Sequence, residues 1–231
     1  MSSRSTPSLT GGRALAARQS VEGLALLVAI VALMWVIEVI NSLDANALTK
    51  DAGILPRSPD HVWAIFTSPF LHANFQHLID NTIPFVFMGV IIALRGAGRL
   101  ALVTLIVIVI GGLGTWLIAP AGTNTIGASG VVFGYATYLF TRGLFDRSAL
   151  EILTGVIVGV VWGGALASSI VPHAGVSWQA HVCGAVGGVV AAWLLAGRQP
   201  TRGRDDGAGH PGGRGSTHPP VHDAIERALA Q

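Results

Sequence analysis

The stretch Val21–Leu43, VEGLALLVAIVALMWVIEVINSL, is the first of the apolar runs that decide the fold. A helix needs about 20 mostly apolar residues to cross the hydrocarbon core of a bilayer. This run is long enough. It is also too long for the apolar part of a cleavable signal peptide and lacks a small-residue cleavage site, so we interpret it as a retained anchor.

Five further runs along the chain have a similar length and composition. They are His77–Leu94, Leu100–Ala119, Gly127–Phe145, Leu150–Val171 and Ser177–Ala196. The chain is 51% hydrophobic and 11% charged, whereas soluble domains carry about 25% charged residues. The sequence therefore predicts an all-α membrane protein, with a six-transmembrane-helix bundle over residues 21–197.

The charged residues lie mainly in the tails and loops, which predict two flanking segments. Residues 1–20 are expected to form a loose cytoplasmic tail. Residues 198–231 are rich in Gly, Arg, Pro and His and are expected to be a disordered cytoplasmic tail, with room for a short helix near Val221–Ala230. His210, His218 and His222 could bind a metal, but their spacing fits no closed site, so we expect none.

The basic residues also predict the orientation, because cytoplasmic loops are enriched in Lys and Arg. Arginines precede the first run and follow the second, fourth and sixth runs, which are segments on one side if six helices alternate. The other side holds only Lys50 and Arg57, in a long first loop. Both termini are therefore expected in the cytoplasm. The net charge of +2 does not indicate nucleic-acid binding, and the single Cys183 excludes an internal disulfide.

A few polar residues interrupt the apolar runs, where ionisable groups are costly and are usually functional. Most of them fall near the extracytoplasmic ends of their helices, so three helices place polar groups in one layer of the membrane. These residues are Glu38, His77, Asp80, Asn81, Ser129 and His181.

Ser129 lies in the sequence Gly127-Ala128-Ser129-Gly130 at the start of a helix. The first amides of a helix have no intrahelical partner, so they can bind an oxyanion. An N-capping serine fits the same motif. His181 lies about one turn into the last run, and a neutral imidazole there can accept a proton from a serine hydroxyl. A hydrogen-bonded packing histidine is the alternative.

His77 and Asn81 are four residues apart and share a helix face. Both side chains can donate to a developing negative oxygen, although a polar pair that bridges two helices has the same pattern. Close packing of the fourth and sixth runs would bring Ser129 near His181, and tight packing of the helices is predicted by glycines spaced by four. They are Gly130, Gly134, Gly155, Gly159, Gly163, Gly184 and Gly188.

Taken together, His77-x-x-x-Asn81, Gly127-x-Ser129-Gly130 and His181-x-x-Gly184 resemble the motifs of the rhomboid family of intramembrane serine proteases. The resemblance extends from about Trp63 to Gly188 and includes the segment Phe70-Leu-His72-Ala-Asn-Phe-Gln-His77-Leu. It implies a six-helix rhomboid-like bundle in the bacterial plasma membrane.

The resemblance also implies the roles of individual residues. Ser129 would be the nucleophile and His181 the general base, forming a dyad, since no acidic partner is evident in the last run. His77, Asn81 and the amides of Ala128 and Ser129 would bind the oxyanion. Phe133 would stack on the histidine where many members have a tyrosine. Substrates would be membrane proteins cleaved near the extracytoplasmic end of a transmembrane helix, with no cofactor, metal or nucleic acid.

The chain departs from the family at several positions. Trp63 is followed by Ala64 where bacterial members often have arginine, and Ala93 replaces a common glutamate. Asp80 occupies a position that is usually apolar and would either pair with a histidine or line water. Glu38 is expected to extend to the membrane interface. Two other functions stay open: an inactive adaptor that binds transmembrane helices, and a proton-coupled transporter that uses His77, Asp80 and His181.

Overall fold

A computed structural model describes residues 9–172 and 175–197, which fall within the first of two units of the chain, Met1–Arg198. The predicted disordered tail, its short helix and its three histidines lie outside the described residues. Eight α-helices are present in the described ranges. They are α1 Leu9–Leu43, α2 Ala47–Asp51, α3 Ala64–Thr67, α4 Phe75–Ala93, α5 Ala97–Ile118, α6 Ser129–Asp146, α7 Ala149–Ile170 and α8 Trp178–Leu194.

Each of the six predicted apolar runs forms a helix, and the all-helical architecture is confirmed. Four of these helices, α1, α4, α5 and α7, are long and apolar enough to cross a membrane. The apolar helix α8 has 17 residues, or about 26 Å, and α6 carries Arg142 and Asp146. Helix α6 packs against α4, α5, α7 and α8. Because these helices cover most of its surface, little of α6 would face lipid and need to be apolar. The count of six membrane crossings stays a prediction.

The prediction for residues 9–20 was wrong, because α1 begins at Leu9 rather than at Val21. Alanine, leucine, arginine and glutamine, which dominate positions 13–19, all favour helix. The side chains of Arg18 and Glu22, one turn apart, also form an ion pair of 2.9 Å. The polar sequence therefore extends the apolar helix instead of ending it.

The expectation for Glu38 was also wrong, since its side chain is only 1% exposed. The amide of Asn41 donates to Glu38 Oε2 over 3.5 Å and to the carbonyl of His72 over 3.4 Å. The segment that follows α1 folds back over this end of the helix. Glu38 is therefore covered by other residues of the chain and does not reach the membrane–water interface.

Hydrogen bonds connect the loop before α4 to the loop between α5 and α6. Ile54 and Thr125 exchange backbone hydrogen bonds of 2.9 and 3.0 Å. Arg57 Nη1 donates to the carbonyls of Leu117 and Ala119, which lie at the end of α5 where carbonyls lack intrahelical partners. This arginine anchors the loop, although Trp63 is followed by alanine.

Helices α6 and α8 approach each other at backbone distance. A Cβ on Gly184 would overlap the carbonyl of Gly130, and one on Gly188 would overlap the carbonyl of Gly134. The hydroxyl of Thr137 on α6 also donates to the carbonyl of Ala185 on α8 over 2.7 Å. The N-termini of these two helices are therefore held side by side.

Candidate active site

Ser129 and His181 meet where α6 and α8 begin. The N-cap of α6 is Ala128, so Ser129 is the first helical residue and its side chain does not serve as the cap. His181 is the fourth residue of α8 and is 4% exposed. His181 Nε2 lies 2.9 Å from Ser129 Oγ. The two side chains are close enough for direct proton transfer.

The second ring nitrogen of His181 contacts a backbone carbonyl that the sequence analysis did not assign. His181 Nδ1 lies 2.8 Å from the carbonyl oxygen of Ser169, in the last turn of α7. Because a carbonyl can only accept, this contact places the proton on Nδ1 and leaves Nε2 as the acceptor facing Ser129. No side-chain pattern in the sequence signals such a contact.

Phe133 covers one face of the histidine. The rings of Phe133 and His181 are 4.3 Å apart between centroids and 9° from parallel. Phe133 lies one helical turn after Ser129 on α6, so the same helix that carries the serine also restricts the rotation of the imidazole.

His77 and Asn81 lie in the first turns of α4, opposite Ser129. Asn74 caps this helix, because its side chain accepts from His77 N–H over 2.9 Å. The amide N–H of Ala73 points to His77 Nδ1 over 3.4 Å, an arrangement that leaves Nε2 as the protonated nitrogen. Asn81 is 5% exposed and donates to the carbonyl of His77 over 3.0 Å.

Gly127 brings the loop before α6 against these two side chains. Its φ of +109° is in the region that favours glycine. A Cβ at this position would lie 2.8 Å from His77 Cε1 and 3.6 Å from Asn81 Nδ2. Only glycine therefore allows His77, Asn81 and the start of α6 to surround one small space.

His72 is a site residue to which the sequence pattern gave no role. Its side chain is fully buried, its Nε2 accepts from Ala128 N–H over 3.4 Å, and its ring meets His77 edge-on at 5.1 Å. Burial, assisted by the nearby His77, lowers the pKa of His72 to about 4, so the ring is a neutral acceptor. The amide of Ala128, expected at the oxyanion, is instead directed at His72. Spacing gave no signal for this contact, because His72 lies before α4 begins at Phe75.

A cavity of about 290 Å³ connects these residues. Helices α4, α6, α7 and α8 all line it, and the side chains at its wall include His77, Asn81, Ser129 and His181. A second cavity of about 500 Å³ lies among the loops, with His77 at its wall. Within the described residues, no group of three His, Cys, Asp or Glu side chains could hold a metal ion.

Comparison with known proteins identifies relatives of this chain. Residues 59–198 match the family model described as the Rhomboid domain. An uncharacterized protein of Mycobacterium tuberculosis is 42% identical over 174 residues, which cover 72% of each chain. Rhomboid-like protein 11, chloroplastic, of Arabidopsis thaliana is 34% identical over 56% of this chain and 51% of its own length. Rhomboid protease GlpG of Salmonella paratyphi A is 27% identical over 58% of this chain and 48% of its own.

Proposed function

The chain belongs to the rhomboid family of multi-pass membrane proteins, and from this premise we propose that it is an intramembrane serine endopeptidase with Ser129 and His181 as a catalytic dyad. Its substrates are membrane proteins, cleaved near the extracytoplasmic end of a transmembrane helix. The observation that carries the proposal is the 2.9 Å contact between His181 Nε2 and Ser129 Oγ, combined with the Ser169 carbonyl at Nδ1.

In the proposed reaction, His181 Nε2 takes the hydroxyl proton while Ser129 Oγ forms a bond to the substrate carbonyl carbon. The Ser169 carbonyl then lies next to the N–H of a cationic ring and replaces the acidic member of a triad in orienting it. His181 returns the proton to the leaving nitrogen as the peptide C–N bond breaks. A water molecule, activated by the same Nε2, hydrolyses the acyl-serine.

The oxyanion of this reaction is proposed to bind between α4 and the start of α6. His77 Nε2–H and the amide of Asn81 are the side-chain donors. Ser129 N–H is the backbone donor, because the first residue of a helix has no intrahelical acceptor. Ala128 N–H is not included among the proposed donors, because it points to His72 Nε2 over 3.4 Å. The donors act on charge that develops only in the transition state.

Cleavage of a model transmembrane substrate by purified protein in liposomes tests the proposal. We expect wild-type protein to release two fragments and a folded Ser129→Ala variant to release none. The comparison also separates a protease from an inactive adaptor, which would bind the substrate helix without cutting it. Equal cleavage by both proteins would exclude Ser129 as the nucleophile.

We also propose that both termini face the bacterial cytoplasm, which follows from the arginine distribution along the chain. Cysteine substitutions at Lys50 and near Gln231 can be labelled with a membrane-impermeant maleimide in intact spheroplasts. The expected result is labelling at position 50 alone, and labelling near Gln231 would contradict it.

A further inference from the structure

Asp80 is an acidic side chain on the wall of the cavity that holds Ser129 and His181. It lies in the second turn of α4, one residue before Asn81, and its side chain is exposed. Gln76 Nε2, one turn earlier, donates to Asp80 Oδ1 over 2.8 Å. This bond holds one carboxylate oxygen, and the side chain retains a second.

Asp80 is the one acidic side chain among the described residues that line the cavity. The ionisable side chains among its described lining residues are His77, Asp80 and His181, and none of these is Lys or Arg. The preceding loop and the start of α4, residues 44–80, hold four aspartates against one lysine and one arginine, a formal charge of −2, and of these aspartates only Asp80 lines the cavity. The two cations, Lys50 and Arg57, both donate to backbone carbonyls outside this cavity.

An acidic residue within a candidate membrane-spanning helix is costly unless a partner compensates its charge. The hydrogen bond from Gln76 supplies a dipole but no charge. A cation from the occupant of the cavity would supply the charge. Because the same cavity contains the nucleophile, that cation would lie close to the bond that is cut.

Resting on the proposed protease function, we propose that Asp80 is a specificity-determining residue that favours substrates with a lysine or arginine near the cleaved bond. A basic side chain at this depth in a substrate helix is itself poorly solvated. Pairing with Asp80 therefore lowers the desolvation cost of both charged groups. A glutamate at the same substrate position meets a like charge and is disfavoured.

The test uses transmembrane peptides that carry a single Lys, Gln or Glu, placed in turn at each position within about one helical turn of the cleavage site. Two quantities are measured with full-length protein in liposomes: kcat/KM for cleavage, and peptide affinity for the Ser129→Ala protein. Asp80→Asn removes the charge and nearly preserves the shape. Asp60→Asn is the matched control, since Asp60 lies in the same acidic segment but outside the cavity.

At one or more positions we expect a preference for Lys over Glu of about tenfold, or about 1.4 kcal/mol. It should fall to within about twofold in Asp80→Asn and persist in Asp60→Asn and Asp80→Glu. If Asp80→Asn does not fold, Asp80→Ser takes its place. A preference that is absent from wild-type protein at every position, or unchanged without Asp80, overturns the inference.

The two measurements separate this inference from the proposed function. Cleavage without a charge preference that depends on Asp80 refutes the role of Asp80 and leaves the protease intact. Selective binding of Lys peptides that depends on Asp80, without cleavage by wild-type protein, refutes the protease and supports the cation site.

Discussion

The two helices that flank α6 are attached to it in different ways. Along α8 the contact is at backbone distance at both Gly184 and Gly188. Along α7 the contact reaches backbone distance only in the first half of the helix, where a Cβ on Gly143 of α6 would lie within 3 Å of Ile152 and one on Gly155 would lie 2.8 Å from Phe140 Cα. A Cβ on Gly164 would meet no heavy atom of the described residues within 4 Å.

Polar contacts follow the same gradient. Arg142 of α6 pairs with Asp146 at 2.8 Å and approaches Glu151 of α7, which also pairs with Arg95. This cluster fixes the first turn of α7, at the end of the bundle opposite Ser129. The last turns of α7 instead border the 290 Å³ cavity. The difference indicates that α6 and α8 form a closely packed support for the two proposed catalytic side chains, whereas the end of α7 contacts this site through the Ser169 carbonyl at His181 and not through close packing on α6.

The largest expected effect comes from Gly184→Val, which adds methyl groups where none fit. The α6–α8 contact must open, which moves His181 away from Ser129. Overpacking of this kind costs about 1–3 kcal/mol of stability or more. We expect cleavage to fall to background and the thermal unfolding midpoint to drop.

Gly164→Val is the matched control. It makes the same chemical change in the second half of α7, where an added Cβ meets no heavy atom of the described residues within 4 Å. Activity and unfolding midpoint should both stay close to wild type. Equal damage from the two substitutions would show that helix propensity, and not the α6–α8 contact, is responsible.

The next largest effect concerns the proposed oxyanion donors on α4. Removal of one such donor typically lowers turnover about 10²–10³-fold. We expect His77→Ala and Asn81→Ala to keep measurable cleavage, with kcat changed more than KM, because these groups act on the transition state. Kinetics of both variants and of their combination provide the measurement. Full activity in both single variants would show that His77 and Asn81 do not bind the oxyanion and that α4 only lines the cavity.

The smallest effect on cleavage at neutral pH is expected from His72, which adds a pH dependence to the stability of the protein. The pKa of His72 is about 4 in the folded protein against about 6.5 in an unfolded chain, so the unfolded state binds the proton first. The stability from this residue is complete above about pH 6.5 and is lost as the pH falls toward about 4, by on the order of 3 kcal/mol.

Replacement by glutamine tests this dependence, because its side-chain oxygen can still accept from Ala128 N–H but does not titrate. The unfolding midpoint of His72→Gln should fall less than that of wild type between about pH 7 and about pH 4.5. Parallel curves for the two proteins would contradict a buried neutral histidine.

Much of the fold could be predicted from the sequence. Apolar runs of about 20 residues predict helices, and five of the six begin and end within three residues of the predicted bounds. The start of α1 was missed because hydropathy marks the apolar core of a helix and not its polar extension. Four-residue spacing of glycines correctly indicated that α6 and α8 approach closely, since that spacing defines one face.

The polar contacts were harder to predict because they depend on where loops fold. Spacing placed His77 and Asn81 on one face of α4, and motif order placed Ser129 and His181 at helix starts. The Ser169 carbonyl at His181 and the contact of His72 with Ala128 each join a histidine ring to a backbone atom, 12 and 56 residues away in the chain. Glu38 was misjudged for the same reason, since its burial depends on the returning first loop.

Ser129 is proposed to be an activated nucleophile beside His181, and covalent labelling with a fluorophosphonate probe tests this role most directly. Full-length protein in detergent would be labelled, digested and analysed by mass spectrometry, with His181→Ala and Ser129→Ala as controls. We predict one adduct on Ser129 that disappears in both variants. An adduct on another serine, or equal labelling of Ser129 without His181, would contradict the dyad.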